Sequence, residues 1–439
     1  MADADLAQRV YREFSPEPLL PDRQRELYVD LDEARGNMGT VSRLEKTIRF
    51  AEGKPTCQVL AGHKGSGKST ELLRLKKQLE SGPSPLFVVY VQADDDIDRN
   101  DVDFPDVLIA IVRQMATQLK QREAITLKPG FFASRLERLK HILTSEIDFE
   151  SFELDLGLMK LAGAMKGSPD ARRQIRKILD PDTNNLLYAA NDVIGQGVAE
   201  LGKKGKVGLV ALMDDLDKMI VRERERTRST TDEYLFVNRA AQLTAFQCHV
   251  IYTIPLSLAY SHHSATIATT YGGEQVPVVP MTRVADPPPN IGRNEPGVRK
   301  FREIIERRLK AANAKESDVF ASQDVRDELI ALSGGQPTEL ISLVREAIIT
   351  HDLPVDQNSL ERARIDGRRG YARFLRAEHW PIIEEIRRTG SYTRANENEP
   401  AFRELLHSRA VLQYVNEEEW YALNPMVAAL RAPSQGIVT

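Results

Sequence analysis

Short apolar runs alternate with stretches of helical periodicity in the first half of the chain. Residues 58–61, 86–91 and 207–213 are apolar enough to form strands that are buried on both faces, as strands in a parallel sheet are. Residues 71–79 carry apolar side chains at the spacing of an amphipathic helix. The pattern predicts an α/β fold built on a parallel sheet.

A glycine-rich loop joins the first of these strands to the helix at residues 71–79. Residues 62–69, Gly-His-Lys-Gly-Ser-Gly-Lys-Ser, match the phosphate-binding P-loop pattern, and they stand between strand and helix as that pattern requires. The glycines let successive backbone amides and the positive end of the helix face a polyphosphate. The predicted nucleotide-binding residues are Gly62, Gly65, Ser66, Gly67, Lys68, Ser69 and Thr70.

Within this loop, Lys68 is expected to reach the β- and γ-phosphates, and the Ser69 hydroxyl is expected to bind Mg²⁺. A carboxylate on a neighbouring strand should complete the metal site, and residues 207–213 lead directly into Asp214 and Asp215. Asp214 is the predicted magnesium ligand, held through water. Asp215 is placed to polarise the attacking water, where glutamate is more usual, so slow turnover is expected.

Other acidic residues near these strands have simpler interpretations. Asp217 is expected to be a helix cap or a solvated charge. The acidic run at residues 94–98 is expected to be a solvated loop and not a second metal site. ATP and Mg²⁺ are therefore the predicted cofactors, and the absence of an Asn-Lys-x-Asp motif disfavours a GTPase.

Length and composition set the limits for the rest. The chain has 439 residues, enough for two or three domains, and a formal net charge of −4, so contact with nucleic acid would need a local basic face. Two cysteines exclude a disulfide framework and leave no ligand set for structural zinc. With no signal peptide or membrane span in the sequence, a soluble, cytoplasmic protein is expected.

The order and spacing of these motifs resemble the AAA+ and STAND ATPases, in particular the branch related to origin-recognition ATPases, over residues 25–431. The resemblance implies that Tyr28 and Val29 line an adenine pocket, with core packing as the alternative. It also implies that Thr253, at the end of the strand at residues 249–254, is a sensor between the acidic pair and the γ-phosphate.

Residues 332–336, Leu-Ser-Gly-Gly-Gln, spell the signature of ABC transporter ATPases but lie after the acidic strand, where that signature does not belong. They are better interpreted as the turn that begins a lid helix at Pro337, a predicted nucleotide-binding residue. Related ATPases often have an arginine after this proline, whereas this chain has Thr338, and Arg345 is only a weak substitute. For an arginine finger acting on a neighbouring subunit the candidates are Arg239 and Arg308, each with a solvated helix arginine as the alternative.

The predicted organisation has four parts. An N-terminal extension covers residues 1–26, and the P-loop core covers residues 27–290 with a helical insertion at 101–205. Within the insertion, helices are predicted at residues 104–119, 131–143, 171–179 and 185–201, and residues 152–158 alternate like a short strand or an ambiguous linker. A helical lid covers residues 291–353, and a winged-helix-like domain covers residues 354–439.

The segment between lid and winged helix carries a cluster of arginines, at positions 362, 364, 368, 369, 373 and 376. DNA binding through Arg368, Arg369 and the winged helix is one interpretation, although a solvated linker helix is favoured because acidic residues and glycine interrupt the cluster.

Three hypotheses follow. The first is a slowly hydrolysing molecular switch that controls a partner protein or its own oligomerisation; the resemblance places such proteins in bacterial stress or antiviral defence systems. The second is a DNA-associated ATPase, a loader or a transposition-type regulator. The third is a structural subunit that binds ATP without hydrolysing it.

Overall fold

A computed structural model describes residues 2–129, 154–224, 229–289, 291–393 and 399–431. By spatial contacts the chain divides into two units. The sheet unit contains residues 40–61 and 71–277, and the helical unit contains residues 1–39, 62–70 and 278–439. The domain boundaries expected from the sequence stay predictions.

Four parallel strands organise the sheet unit, and together with the P-loop they give the α/β P-loop NTPase fold. They are β1 (Cys57–Gly62), β2 (Phe87–Gln92), β3 (Leu209–Asp214) and β4 (His249–Ile254), in the order β2-β3-β4-β1. Every residue of β3 and β4 is buried, as expected for strands covered on both faces. Because the strands are parallel, β1, β3 and β4 all end at the same edge of the sheet.

Helices surround this sheet, and their ends follow local sequence. In α5 (Phe104–Glu123), for example, Asp103 caps the helix, and the Asp103 backbone amide donates a hydrogen bond to the Asp106 carboxylate. The helices of the sheet unit are α2 (Thr40–Phe50), α3 (Lys68–Glu80, whose first three residues belong to the helical unit), α4 (Ala93–Asp96), α5 (Phe104–Glu123), α6 (Leu154–Gly167), α7 (Pro169–Leu179), α8 (Thr183–Lys203), α9 (Thr231–Glu233), α10 (Ala240–Leu243), α11 (Leu256–Ala259) and α12 (Ser264–Thr270); a π-helical turn, Tyr234–Asn238, separates α9 from α10.

The strand interpretation of residues 152–158 is wrong from residue 154 onward. Leu154, Leu158, Leu161 and Met165 are buried along one side of α6, so helical spacing governs this segment and not the alternation of its first residues. The helix predicted at residues 131–143 lies outside the described residues.

The acidic run at residues 94–98 is also not a solvated loop. It forms α4 and the turn after it, and Asp96 is buried against Arg113, 2.6 Å away. Asp98 pairs with the buried Arg172 of α7 at 2.8 Å. These carboxylates therefore help to attach the inserted helices to the edge of the sheet.

Buried charge also joins α5 to α7. Arg176 contacts Asp101 at 2.8 Å and Asp106 at 2.5 Å. Burial raises the pKa of Asp106 to about 6, although Arg176 favours its ionised form. The ionised form of this deeply buried carboxyl group therefore depends on its arginine partner.

The helical unit has an apolar core of its own, which includes Val10 of α1 (Ala2–Glu13) and Phe14, the residue directly after that helix. Its helices are α1 (Ala2–Glu13), α13 (Glu295–Ala311), α14 (Glu316–Val319), α15 (Gln323–Leu332), α16 (Pro337–Thr350), α17 (Gln357–Phe374), α18 (Trp380–Thr389), α19 (Glu399–His407) and α20 (Pro425–Ala428), and its short strand β5 covers Val278–Val279. Among the helices that the structure describes, none has the length and apolarity to cross a bilayer.

The C-terminal part of this unit places two helices before an antiparallel hairpin. Strands β6 (Val411–Val415) and β7 (Glu419–Leu423) form the hairpin, and Tyr414 stacks on Trp420 with ring centroids 4.3 Å apart. The winged-helix assignment itself stays a prediction.

We expect Arg176→Met to destabilise the protein by about 3–5 kcal/mol, because it leaves Asp106 buried without its partner. Arg173→Met on the same helix is the control, since Arg173 and Asp170 are both mostly exposed and should change stability little. Urea unfolding monitored by circular dichroism measures both. Equal stability of the two variants would show that the buried pair contributes nothing.

Candidate nucleotide site

The P-loop backbone depends on its glycines. Gly65 and Gly67 have φ angles of 85° and 95°, in the left-handed region that other residues avoid. A Cβ atom on Gly65 would lie 3.2 Å from the Cβ of Thr338. The loop is therefore curled as a phosphate cradle requires, and it has little space for side chains on the side facing Thr338.

Lys68 begins α3 and is only 5% exposed. Its ammonium donates hydrogen bonds to the carbonyls of Gly62 at 2.8 Å and His63 at 2.9 Å. These bonds hold the positive charge at the start of the loop. Next to it along the chain, Ser69 is half-buried, and the Thr70 hydroxyl accepts a hydrogen bond from the Leu19 amide at 3.2 Å.

The Ser66 hydroxyl and the side-chain amide nitrogen of Gln336 are among the buried polar atoms beside this loop that have no hydrogen-bond partner within the described ranges of the chain. A buried donor without an acceptor costs free energy, and the oxygens of a bound phosphate would supply acceptors. A bound polyphosphate would satisfy both atoms, so the residues of this site fit such a ligand.

The turn before α16 lies directly against the P-loop. Pro337 is the first residue of α16, and the Thr338 amide donates to the Gly65 carbonyl at 3.4 Å. Gly335 has a φ of 74°, and a Cβ there would overlap the Thr282 carbonyl. The absence of a side chain at Gly335 thus permits this turn to pack directly against the backbone of Thr282.

Arg345 does not replace the missing arginine at position 338. Its guanidinium lies 3.8 Å from the centre of the Tyr11 ring, so it faces α1.

His63 connects the P-loop to the C-terminal hairpin, a role that the sequence did not reveal. Its Nε2 accepts a hydrogen bond from the Gln413 amide of β6 at 2.9 Å, and the side chain is 2% exposed. Burial lowers the pKa of His63 to about 3, with Lys68 and Arg409 adding to the effect. The imidazole is therefore neutral, as an acceptor at Nε2 must be.

Arg35 is a second contact that sequence reasoning missed. It ends the short turn Glu33–Arg35, is 5% exposed, and donates from its guanidinium to the Ser66 carbonyl. The only sequence signal was its place in the segment that resembles the adenine-binding region.

The two predicted adenine-pocket residues lie near Arg35 in sequence. Val29 is buried in the core of the helical unit, and the Tyr28 carbonyl accepts a hydrogen bond from Arg307. Val29 thus packs in the core, and a role for either residue in binding adenine stays a prediction.

In the sheet unit, the turn after β3 gathers carboxylates. Oxygen atoms of Asp214, Asp215 and Asp217 lie within 4.8 Å of one another, a set of hard ligands that suits Mg²⁺. Asp214 is 1% exposed and accepts hydrogen bonds from the Tyr90 hydroxyl at 2.5 Å and the Asp215 amide at 2.8 Å.

Asp215 and Thr253 shape this turn. Asp215 has a φ of 68° and pairs with Lys218 at 2.5 Å. The buried Thr253 hydroxyl accepts from the Leu216 amide at 3.2 Å and donates to the Met213 carbonyl at 3.4 Å. Thr253 therefore holds the acidic turn on both sides of the Asp214–Asp215 pair, and its role as a sensor stays a prediction.

The two candidate arginine fingers are engaged within the chain. Arg239 contacts Asp103 at 3.1 Å and Asp180 at 2.8 Å. Arg308 is 4% exposed, and burial lowers its pKa to about 10, with Glu13 opposing the shift. Either residue would have to leave these surroundings to act on a neighbouring subunit.

Most of the arginine cluster lies on α17. Among described residues, carboxylates face four of its members: Asp366 faces both Arg362 and Arg369, Glu328 faces Arg364, and Glu404 faces Arg376. The choice between a solvated linker helix and DNA binding stays a prediction.

The chain is similar to the solved structure of a Walker-type ATPase of Pyrococcus abyssi. The two are 14% identical with a TM-score of 0.43, over 95% of this chain and 98% of the other. No protein-family model matches the chain, and no curated protein matches it.

The buried His63 gives a pH prediction. Its folded-state pKa of about 3 lies below the unfolded value of about 6.5, so only the unfolded state takes up a proton between these values. Stability from this site is therefore present above pH 6.5 and is lost as the pH falls. At pH 5 the loss should be about 2 kcal/mol.

We expect His63→Gln, which keeps an acceptor for the Gln413 amide, to remove this part of the pH dependence. His262→Gln, at an exposed histidine, is the control and should keep it. Urea unfolding between pH 5 and pH 8 gives the comparison. If the slope of stability against pH is the same in His63→Gln and wild type, the histidine is not held neutral.

Proposed function

We propose that this protein binds ATP with Mg²⁺, hydrolyses it slowly, and acts as an AAA+/STAND-like molecular switch that controls a partner protein or its own assembly. The observation that carries the proposal is the P-loop: a curled, glycine-dependent backbone with Lys68 fixed at its start and buried polar atoms of Ser66 and Gln336 in need of acceptors.

For the nucleotide, Lys68 and the loop amides would bind the phosphate oxygens. For the metal, Ser69 and Asp214 would hold Mg²⁺, which neutralises charge that develops on the phosphates during transfer. β1 leads into the P-loop and β3 into Asp214, and the two strands end at the same edge of the sheet.

Slow turnover is supported by the acidic turn. Asp215 is the candidate for orienting the attacking water, but Lys218 neutralises its carboxylate at 2.5 Å. An aspartate held in an ion pair is less available to orient the attacking water than a free carboxylate. With Thr338 in place of an arginine, the site has features of a switch that holds ATP longer than a motor would.

The switch itself is supported by the contacts of the P-loop in the helical unit. The Thr338 amide bonds to Gly65, and the Gln413 amide of the hairpin bonds to His63. A phosphate that shifts the loop backbone would therefore alter both contacts. A ligand that binds one arrangement more tightly shifts the population toward it, and a partner can respond to that shift.

We expect Lys68→Ala to weaken ATP binding by about 10- to 100-fold, because charge-assisted hydrogen bonds to phosphate are lost. Isothermal titration with Mg-ATP measures the affinity, and phosphate release measures turnover. Lys64→Ala, at an exposed position in the same loop, is the control and should bind ATP as the wild type does. Unchanged affinity in Lys68→Ala would refute the assignment of the site.

A further inference from the structure

The position directly after Pro337, where the resemblance leads us to expect an arginine, carries no positive charge in this chain. Thr338 follows Pro337, and Arg345 is stacked on Tyr11. A bound triphosphate carries its additional negative charge on the terminal phosphate, and a positioned arginine is well suited to bind it. Another arginine of the helical unit lies close to this turn.

That residue is Arg409, between α19 and β6. Its φ of 64° is in the left-handed region. Its guanidinium Nη1 lies 3.2 Å from the side-chain oxygen of Gln336 and 3.3 Å from a carboxylate oxygen of Glu339. Arg409 is thus attached to the turn that contacts the P-loop.

Gln336 brings this contact next to the P-loop. Its side-chain oxygen lies 3.7 Å from the position that a Cβ on Gly65 would occupy. The residue is fully buried, and its amide nitrogen has no partner among described atoms. The charge of Arg409 reaches the loop as well, because it adds to the lowering of the His63 pKa by burial.

The present partners of Arg409 are easily exchanged. The side chains of Arg409 and Glu339 are 31% and 32% exposed, so their ion pair is screened by solvent and contributes little stability. A phosphate offers stronger, charge-assisted hydrogen bonds to a guanidinium than a solvated carboxylate does. Exchange of Glu339 for phosphate is therefore favourable.

We infer that Arg409, together with the side-chain amide of Gln336, recognises the terminal phosphate of ATP and makes the site prefer ATP to ADP. This inference rests on the proposed function. Arg409 lies two residues before the start of β6, and β6 carries the Gln413 backbone amide that bonds to His63. Recognition of the phosphate by Arg409 would thus act directly on the hairpin.

The test compares ATP and ADP affinities by isothermal titration for the wild type and three variants of the full chain. Arg409→Gln should weaken ATP binding about 5- to 20-fold and ADP binding less than about twofold. Arg409→Lys should retain part of the preference, because it keeps the charge without the planar fork. Arg345→Gln is the matched control and should leave both affinities unchanged.

Circular dichroism of each variant confirms folding, and Arg409→Lys provides the test if Arg409→Gln is unfolded. An ATP-to-ADP affinity ratio in Arg409→Gln equal to that of the wild type overturns the inference but leaves the proposed function standing. If Arg409→Gln weakens ATP binding and ADP binding by the same factor, the inference is likewise overturned and the proposed function stands. A wild-type protein that binds neither nucleotide overturns the proposed function and this inference with it.

Discussion

The contacts of the helical unit with its nucleotide loop depend on the fixed backbone of the P-loop. Gly65 and Gly67 have backbone φ angles that only glycine adopts readily. The Lys68 ammonium donates hydrogen bonds to two carbonyls at the start of the loop, those of Gly62 and His63. The turn before α16 bonds to that backbone at Gly65, and the C-terminal hairpin bonds to the side chain of His63. Because packed elements move between discrete arrangements, a change in the loop can be passed to the hairpin without a long relay.

Burial of polar groups explains why these contacts are specific. Neutral His63 accepts one backbone hydrogen bond, and losing that acceptor would leave the Gln413 amide buried and unpaired. The side-chain amide of Gln336 and the Ser66 hydroxyl, in contrast, are buried donors that still need acceptors. The same physical rule therefore accounts for a stable connection to the hairpin and for a preference for a phosphate-bearing ligand.

Much of the fold could be predicted because its causes are local. The P-loop motif, the apolar runs of β1 to β4 and the cap of α5 by Asp103 are all visible in a few consecutive residues. The helix at residues 154–158 could not be predicted because the packing of later leucines decides it. The structure of the acidic run at 94–98 could not be predicted because its arginine partners are distant in sequence. For the same reason His63 and Arg35 were overlooked, since no short-range pattern connects them with Gln413 and Ser66.

The central claim is that nucleotide at the P-loop is sensed by the hairpin. Hydrogen exchange of the backbone amides of residues 411–415 measures this most directly, in protein without nucleotide and with Mg-ATP or Mg-ADP at saturation. The account predicts slower exchange with ATP than with ADP, and the largest change at Gln413, whose amide bonds to His63. Identical exchange in all three states, with ATP shown to be bound, would contradict it.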